Sequence, residues 1–278
     1  MSRQNLDLNK TIINRPSNQP IGVFDSGLGG LSILKALKNK LPNEQFVYFG
    51  DTAHLPYGDK SEAMLKAYVS SIVSFLEQQN CKMIVVACNS AATVIQKIID
   101  LPFKDHQIVE VITPIVELVA AQKKYRKIGV IGTRKTIGSG MFDRELNRIN
   151  PSLDIVAKAT PLLAPMVEDG FVDKNVLFPI FEKYFEGFED RELIIPACTH
   201  YPIIYHQIEE YFNNSLKVLH TPKIIAEKVD QVLLNRNLNN PDKTEKSDLF
   251  YLSDITEDFL REAVLFLDRD VDFKQVSL

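Results

Sequence analysis

The stretch Leu193–Pro202, L-I-I-P-A-C-T-H-Y-P, places a thiol and an imidazole two residues apart at the end of an apolar run. Branched aliphatic residues followed by a polar cluster read as a buried strand whose carboxyl end carries chemistry. Met83–Ser90, M-I-V-V-A-C-N-S, has the same construction, so Cys88 and Cys198 look like two versions of one position, 110 residues apart. Ile21–Ser26, I-G-V-F-D-S, is echoed by Ile128–Thr133, I-G-V-I-G-T, at a spacing of 107, and the strand-like runs Val109–Ile112 and Leu216–Leu219 repeat at the same spacing. Three similar spacings in one order point to an ancient duplication, with each α/β unit offering one cysteine from an equivalent strand end.

The 278 residues, 45% of them hydrophobic, suffice for one large core or two modest ones, and the duplication favours two. A formal charge of −4 spread over mixed signs lacks the basic footprint of a nucleic-acid binder. Three cysteines without a C-x-x-C pair suit a reducing compartment rather than a disulfide framework. No apolar run approaches the roughly 20 residues that span a bilayer, and Met1–Pro20 lacks a signal-peptide core. The expectation is a cytoplasmic, soluble protein without a membrane partner.

Residues 1–19, rich in Asn, Gln and Ser, read as a flexible extension. A strand is expected at Ile21–Asp25, then the turn Ser26-Gly27-Leu28-Gly29-Gly30 and a helix over Leu31–Lys40. The glycines fit neither the dinucleotide nor the Walker spacing, so they do not imply a nucleotide. Phe46–Phe49 reads as the next strand, followed by Gly50-Asp51, and Ser61 starts a helix to about Gln79. Ala91–Ile99 should be helical and Val109–Ile112 a strand.

The second unit repeats this rhythm from Thr113 to Leu219, with Glu168 in a loop. Helices near Ile224–Leu234 and over Thr256–Leu267, with a strand at Leu249–Leu252 between them, close the chain. The expected fold is α/β: two similar doubly wound parallel-sheet domains related by a pseudo-two-fold axis, with the active site between them. The expected division is 20–112 plus 222–278 for a discontinuous first domain and 113–221 for the second. Ligands gather at the carboxyl ends of such strands, where Asp25, Asp51 and Cys88 fall.

A lone cysteine at a strand end is more often a small buried hydrophobe than a nucleophile, and Cys81 is read that way. Cys88 and Cys198 differ, because Asn89-Ser90 and Thr199-His200 follow them. Three chemistries fit. A metal could use Cys88, Cys198 and His200, although no zinc spacing is present. A Cys-His hydrolase would use Cys198 and leave Cys88 unexplained. A two-base reaction would set one thiol on each face of a bound carbon, so that one removes a proton and the other returns one. A thiol with an ordinary pKa of about 8.5 can be tuned for that exchange by Asp25, Glu168 or His200.

The ordered motifs resemble the glutamate racemases of the cofactor-independent aspartate/glutamate racemase superfamily. They are F-D-S-G-L-G-G at Phe24–Gly30, G-D-T-A-H-L-P-Y-G at Gly50–Gly58, V-A-C-N-S at Val86–Ser90, G-T-x-x-T at Gly132–Thr136, P-x-V-E-D-G at Pro165–Gly170 and A-C-T-H-Y-P at Ala197–Pro202. The resemblance implies interconversion of L- and D-glutamate without a cofactor or metal, feeding peptidoglycan synthesis. It makes Cys88 and Cys198 the acid/base pair, assisted by Asp25, Asp51, Glu168 and His200. Substrate binding falls to Asp25, Ser26, Pro56, Tyr57, Gly58, Asn89, Ser90, Thr133, Thr136, Thr199 and His200. A homodimer is the expected assembly, although no residue pattern fixes it, and some extended relatives respond to cell-wall precursors, which gives residues 1–20 a candidate regulatory role.

Aspartate racemisation or another carbon-acid isomerisation or decarboxylation is the neighbouring enzyme reading, and a dicarboxylate-binding protein is the non-enzyme one. The chain departs from the family pattern at three points. Ser90 stands where Thr is usual, Pro196-Ala197 where Leu-Gly is common, and His220 where Asp tends to follow the last strand. Proline at 196 removes a backbone donor and puts the local strand pairing in question.

Overall fold

The computed structural model describes residues 16–98, 101–103, 107–242, 247–267 and 270–278. Most of the expected N-terminal extension, residues 1–15, lies outside them. The chain opens with β1 (Ile21–Asp25), α1 (Leu31–Lys40), β2 (Phe46–Gly50), α2 (Glu62–Gln78), β3 (Met83–Val86), α3 (Asn89–Ile95) and β4 (Ile108–Glu110). It continues through α4 (Ile112–Ala121), β5 (Lys127–Gly132), α5 (Arg134–Gly138), α6 (Met141–Ile149), β6 (Asp154–Ala159), α7 (Leu163–Glu168), α8 (Lys174–Tyr184), β7 (Leu193–Ala197), α9 (Tyr205–Tyr211) and β8 (Lys217–Val218). The last elements are α10 (Thr221–Arg236), β9 (Leu249–Leu252), α11 (Glu257–Leu267) and β10 (Phe273–Gln275).

Two parallel sheets organise these elements into two α/β domains, in the orders β10-β9-β2-β1-β3-β4 and β6-β5-β7-β8. β1, β2, β3 and β7 are buried along their whole length, as strands covered by helices on both faces must be. The apolar runs that mark them in the sequence follow from that burial.

The duplication is visible in the strand order, since β2-β1-β3-β4 and β6-β5-β7-β8 differ by four at every place. Register makes the match residue by residue. Ile21 pairs with Met83 as Ile128 pairs with Leu193, which puts Cys88 and Cys198 at equivalent positions past their strands. Asp25 pairs with Gly50 as Gly132 pairs with Ala159, so Asp51 and Thr160 are equivalent too. The third spacing needs correction: Ile84 pairs with Ile108 as Ile194 pairs with Val218, a repeat of 110 rather than 107.

Other boundaries also move. The strand expected at Val109–Ile112 ends at Glu110 because the Glu110 carboxylate turns back to accept the N–H groups of Ile112 (2.6 Å) and Thr113 (2.8 Å), starting α4 there. The helix expected from Ala91 starts at Asn89 and ends at Ile95, while Ile99 lies outside the described residues. Glu168 ends α7 instead of lying in a loop.

Pro196 leaves β7 intact. Its neighbour Ile194 accepts from Leu219 N–H, so that side of the strand faces β8, whose pairing stops at Ile194–Val218. The missing N–H of Pro196 points past the end of β8, while the β5 side pairs through Ala197.

Candidate active site

Asp25 ends β1 with no exposure, and its Oδ2 accepts Gly30 N–H at 2.6 Å and the Thr199 hydroxyl at 3.2 Å. The second bond crosses from one domain to the other. Ser26 follows, and the Cys88 thiol donates to its hydroxyl at 3.7 Å. A short chain of contacts, Cys88–Ser26–Asp25–Thr199–Cys198, thus joins the two sulfurs' surroundings. Both thiols are free and nearly sealed, at 5% and 6% exposure.

The two sulfurs sit in different fields. Burial pushes the Cys88 thiol well above its ordinary value, and the Asp25 charge adds to this. Hydrogen bonds from Ala91 N–H and from Ser26 oppose the shift, since Cys88 immediately precedes α3. Cys198 Sγ instead lies 3.6 Å from His200 Nδ1, and His200 Nε2 lies 2.9 Å from Glu168 Oε1, out of line for a straight hydrogen bond. Burial opposes the imidazolium, but the hydrogen bonds and charges of Cys198 and Glu168 outweigh it, so the His200 pKa stands well above its usual value. Cys88 is held as a thiol, whereas Cys198 has a cation beside it.

Asp51, just past β2, accepts from the Tyr57 hydroxyl at 2.5 Å and lies 2.8 Å from His54 Nδ1. Burial and the Asp51 carboxylate push the Tyr57 phenol upward, with smaller contributions from Cys88 and Asp25. His54 and Tyr57 both stack on Tyr68, which fixes the loop. Gly58 abuts the other domain, where a Cβ would come within 2.9 Å of Thr133 Cβ. Thr133 caps α5 by accepting Thr136 N–H, and its hydroxyl lies 2.9 Å from Ser90 Oγ and 3.0 Å from Thr136 Oγ1.

The structure therefore gathers Asp25, Ser26, Asp51, Tyr57, Gly58, Cys88, Ser90, Thr133, Thr136, Glu168, Cys198, Thr199 and His200 into contacting clusters along the domain boundary. Asn89 opens α3 next to Cys88, and its side-chain oxygen is buried without a donor. Pro56 precedes Tyr57 in the same loop but is exposed. His220 stands exposed at the start of α10, its ring edge-on to Tyr205.

Sequence reasoning missed Ser32, whose hydroxyl reaches Thr199 O at 3.0 Å across the boundary. It also missed Tyr48, which donates to Gly27 O at 2.6 Å and holds the turn that carries Ser26. A serine inside an amphipathic helix and a tyrosine inside a buried strand carry no spacing signal.

The aspartate/glutamate/hydantoin racemase family model matches residues 30–229. The chain belongs to this family. A glutamate racemase of Geobacter metallireducens is 35% identical over 265 residues, covering 93% of this chain and 96% of the relative. The crystal structure of the Francisella tularensis glutamate racemase in complex with D-glutamate superposes with a TM-score of 0.87 at 32% identity, over 94% of this chain and 98% of that one. The Escherichia coli glutamate racemase, in complex with L-glutamate and the activator UDP-MurNAc-Ala, shares the fold at 22% identity and a TM-score of 0.77, over 93% and 98%. Family membership makes the chain an amino-acid racemase, which is an isomerase.

Proposed function

We propose that this racemase interconverts L- and D-glutamate with Cys88 and Cys198 as its two acid/base groups. The observation that supports this most is the equivalence of the two cysteines: each follows the matching strand of its sheet, and Asp25–Thr199 ties their loops together. A thiolate takes the α-proton from one face, breaking the Cα–H bond and leaving the electron pair on the carbon and its carboxylate. The opposite thiol then delivers its proton to the other face, forming the new Cα–H bond. No net oxidation occurs, and the two sulfurs exchange protonation states in each turnover.

In the free enzyme burial keeps the proton on Cys88, and Cys198 lies beside the His200 imidazolium. Glu168 holds that imidazolium, and Asp51 orders Tyr57 and His54 on the Cys88 side. Asp25 Oδ1 and Asn89 Oδ1 are buried acceptors without a donor, which suits an α-ammonium group. Hydroxyls and backbone N–H groups around Ser26, Ser90, Thr133, Thr136 and Thr199 supply donors for the two carboxylates, and the Pro56-Tyr57-Gly58 loop closes over them.

The product would supply D-glutamate for peptidoglycan synthesis in the cytoplasm. We assign the homodimer, a division of the chain at 112/113 and 221/222, and control by a cell-wall precursor to the same proposal. For control, the activator bound to the Escherichia coli enzyme is the supporting observation. Among the described residues no helix is long and apolar enough to cross a membrane.

The test is incubation of purified protein with L-glutamate in deuterated water, without added cofactor, following optical rotation and α-deuterium, with L-aspartate in parallel. Racemisation with deuterium uptake on glutamate alone supports the proposal. Near-wild-type turnover in either Cys88→Ser or Cys198→Ser would refute the two-cysteine mechanism, and preferential turnover of aspartate would replace the substrate.

A further inference from the structure

The duplication identifies a position that none of the motifs singled out. Register makes Thr160 the equivalent of Asp51, and the backbone agrees: Asp51 N–H donates to Asp25 O at 3.0 Å and Thr160 N–H donates to Gly132 O at 2.8 Å. A tyrosine hydroxyl engages each of these equivalent residues. Tyr57 reaches Asp51 at 2.5 Å, and Tyr201 reaches Thr160 Oγ1 at 2.6 Å. The two phenols come from unrelated places, one six residues past Asp51 and the other three residues past Cys198.

The second arrangement carries no charge. The Tyr201 hydroxyl also lies 3.2 Å from Thr160 O, and Thr160 Oγ1 donates to Gly132 O at 3.3 Å. Tyr201 and Thr160 are both fully buried, so these bonds do not exchange with water. The clasp fastens three strand ends together: Gly132 at the end of β5, Thr160 after β6, and the Cys198–His200–Tyr201 turn after β7. Thr133, next to Gly132, is the residue whose hydroxyl reaches Ser90 in the other domain. Burial and the Cys198 charge both raise the Tyr201 phenol, so it stays protonated and donates.

We propose that Tyr201 and Thr160 are positioning residues for Cys198, the uncharged counterpart of the Tyr57–Asp51 pair beside Cys88. This rests on the two-cysteine reading. The asymmetry has a physical reason. The charge that serves Cys198 comes from the Glu168–His200 pair, so the strand end at Thr160 needs no carboxylate of its own. A hydroxyl instead fixes the turn without altering that charge balance.

The test compares Tyr201→Phe, Thr160→Val and Thr160→Ser with the wild-type enzyme. Far-ultraviolet circular dichroism and melting temperature establish folding, and kcat, KM and the α-deuterium isotope effect are measured from each enantiomer. In Cys198→Ser, the enantiomer whose α-proton still exchanges is the one that Cys88 deprotonates, so the other enantiomer reports on Cys198. Tyr201→Phe and Thr160→Val should lower kcat roughly tenfold. The isotope effect should rise only for the Cys198-dependent enantiomer, and Thr160→Ser should restore most of the rate.

Isotope effects unchanged from both enantiomers, or kcat within about twofold of wild type, would overturn the assignment. If Tyr201→Phe does not fold, the Thr160→Val and Thr160→Ser pair decides by the same criteria. Failure of the cysteine variants would remove the two-base reading itself, and that outcome is read separately from the tyrosine variants.

Discussion

Thr199 Oγ1 donates to Asp25 Oδ2 over 3.2 Å, so the residue after one cysteine is bonded to the residue before the serine that contacts the other. The bond is buried and spans two domains, so it forms only when they close. Thr199→Val should leave Asp25 with one fewer donor, at a cost of about 1 to 3 kcal/mol to the closed state. That corresponds to a loss in kcat/KM of roughly 5-fold to 160-fold. The equilibrium constant between enantiomers is one, so kcat/KM must fall equally in both directions. Steady-state kinetics from L- and D-glutamate check this, and an unchanged kcat/KM would mean that closure does not depend on the bond.

Glycine at 29 is required by the same closure. A Cβ there would lie 2.5 Å from Thr199 Oγ1 and 2.7 Å from His200 Nδ1 and Cε1. Gly29→Ala should prop the boundary apart and lower kcat/KM by roughly a hundredfold, with little change in melting temperature because the clash is relieved by opening. Gly138→Ala is the matched control, since nothing lies within 4 Å of its added carbon, and its kinetics should stay near wild type.

Removing the Glu168 charge should change the pH profile before it changes the fold. His200 has its pKa raised by Cys198 and Glu168, so its positive charge is kept below that raised value and lost as pH climbs through it. Glu168→Gln lowers the His200 value and should move the alkaline limb of kcat/KM to lower pH. In the wild type this limb should lie above the ordinary thiol value of about 8.5, because the Cys88 proton is also held tightly. Both groups bind protons more tightly when folded, so the stability that His200 contributes is fully present below its unfolded-state pKa of about 6.5 and is lost as pH climbs through the raised value. Kinetic profiles and melting temperatures across pH 5 to 10 test the signs. A profile unmoved by Glu168→Gln would separate this carboxylate from the imidazolium.

Much of this arrangement was legible in the sequence because duplication writes the same strand ending twice. Met83–Cys88 and Leu193–Cys198 share a pattern of burial followed by polarity, and parallel strands covered on both faces produce that pattern. Charged residues beside the thiols were legible for a related reason, since Asp25, Asp51 and His200 stand where a core would reject them. Glu168 reads as a loop residue in the sequence because Pro165 masks the short helix α7. The β4 boundary is hidden in the sequence because apolar residues continue into α4 with no break in composition, and only the Glu110 side chain marks the turn. Tyr48 and Thr160 carry no signal for the opposite reason: each is buried, and one hydroxyl on a buried ring or short side chain does not alter a hydrophobic pattern, while Tyr201 stands inside the A-C-T-H-Y-P motif with nothing in the sequence to show its partner.

Lys82 provides a test far from the chemistry. Its Nζ is completely buried and donates to Glu44 Oε2 at 2.5 Å, Ser17 O at 2.5 Å and Leu238 O at 2.7 Å, while Glu44 Oε1 accepts Asn240 N–H at 2.8 Å. One buried ion pair thus ties the segment before β1, the α1–β2 connection, the start of β3 and the chain leaving α10. Lys82→Met should strand the Glu44 carboxylate in the interior and cost about 3 to 5 kcal/mol, because the desolvated charge loses its partner. Glu44→Gln in the Lys82→Met background should recover part of that loss, since an amide needs no counter-charge. Lys82 enters β3 at the end opposite Cys88, so kcat and KM of the folded fraction should stay within about twofold of wild type. Urea denaturation of the two single variants and the double variant gives the coupling directly. A loss below about 1 kcal/mol for Lys82→Met would show that water or a rearranged loop replaces the ammonium group.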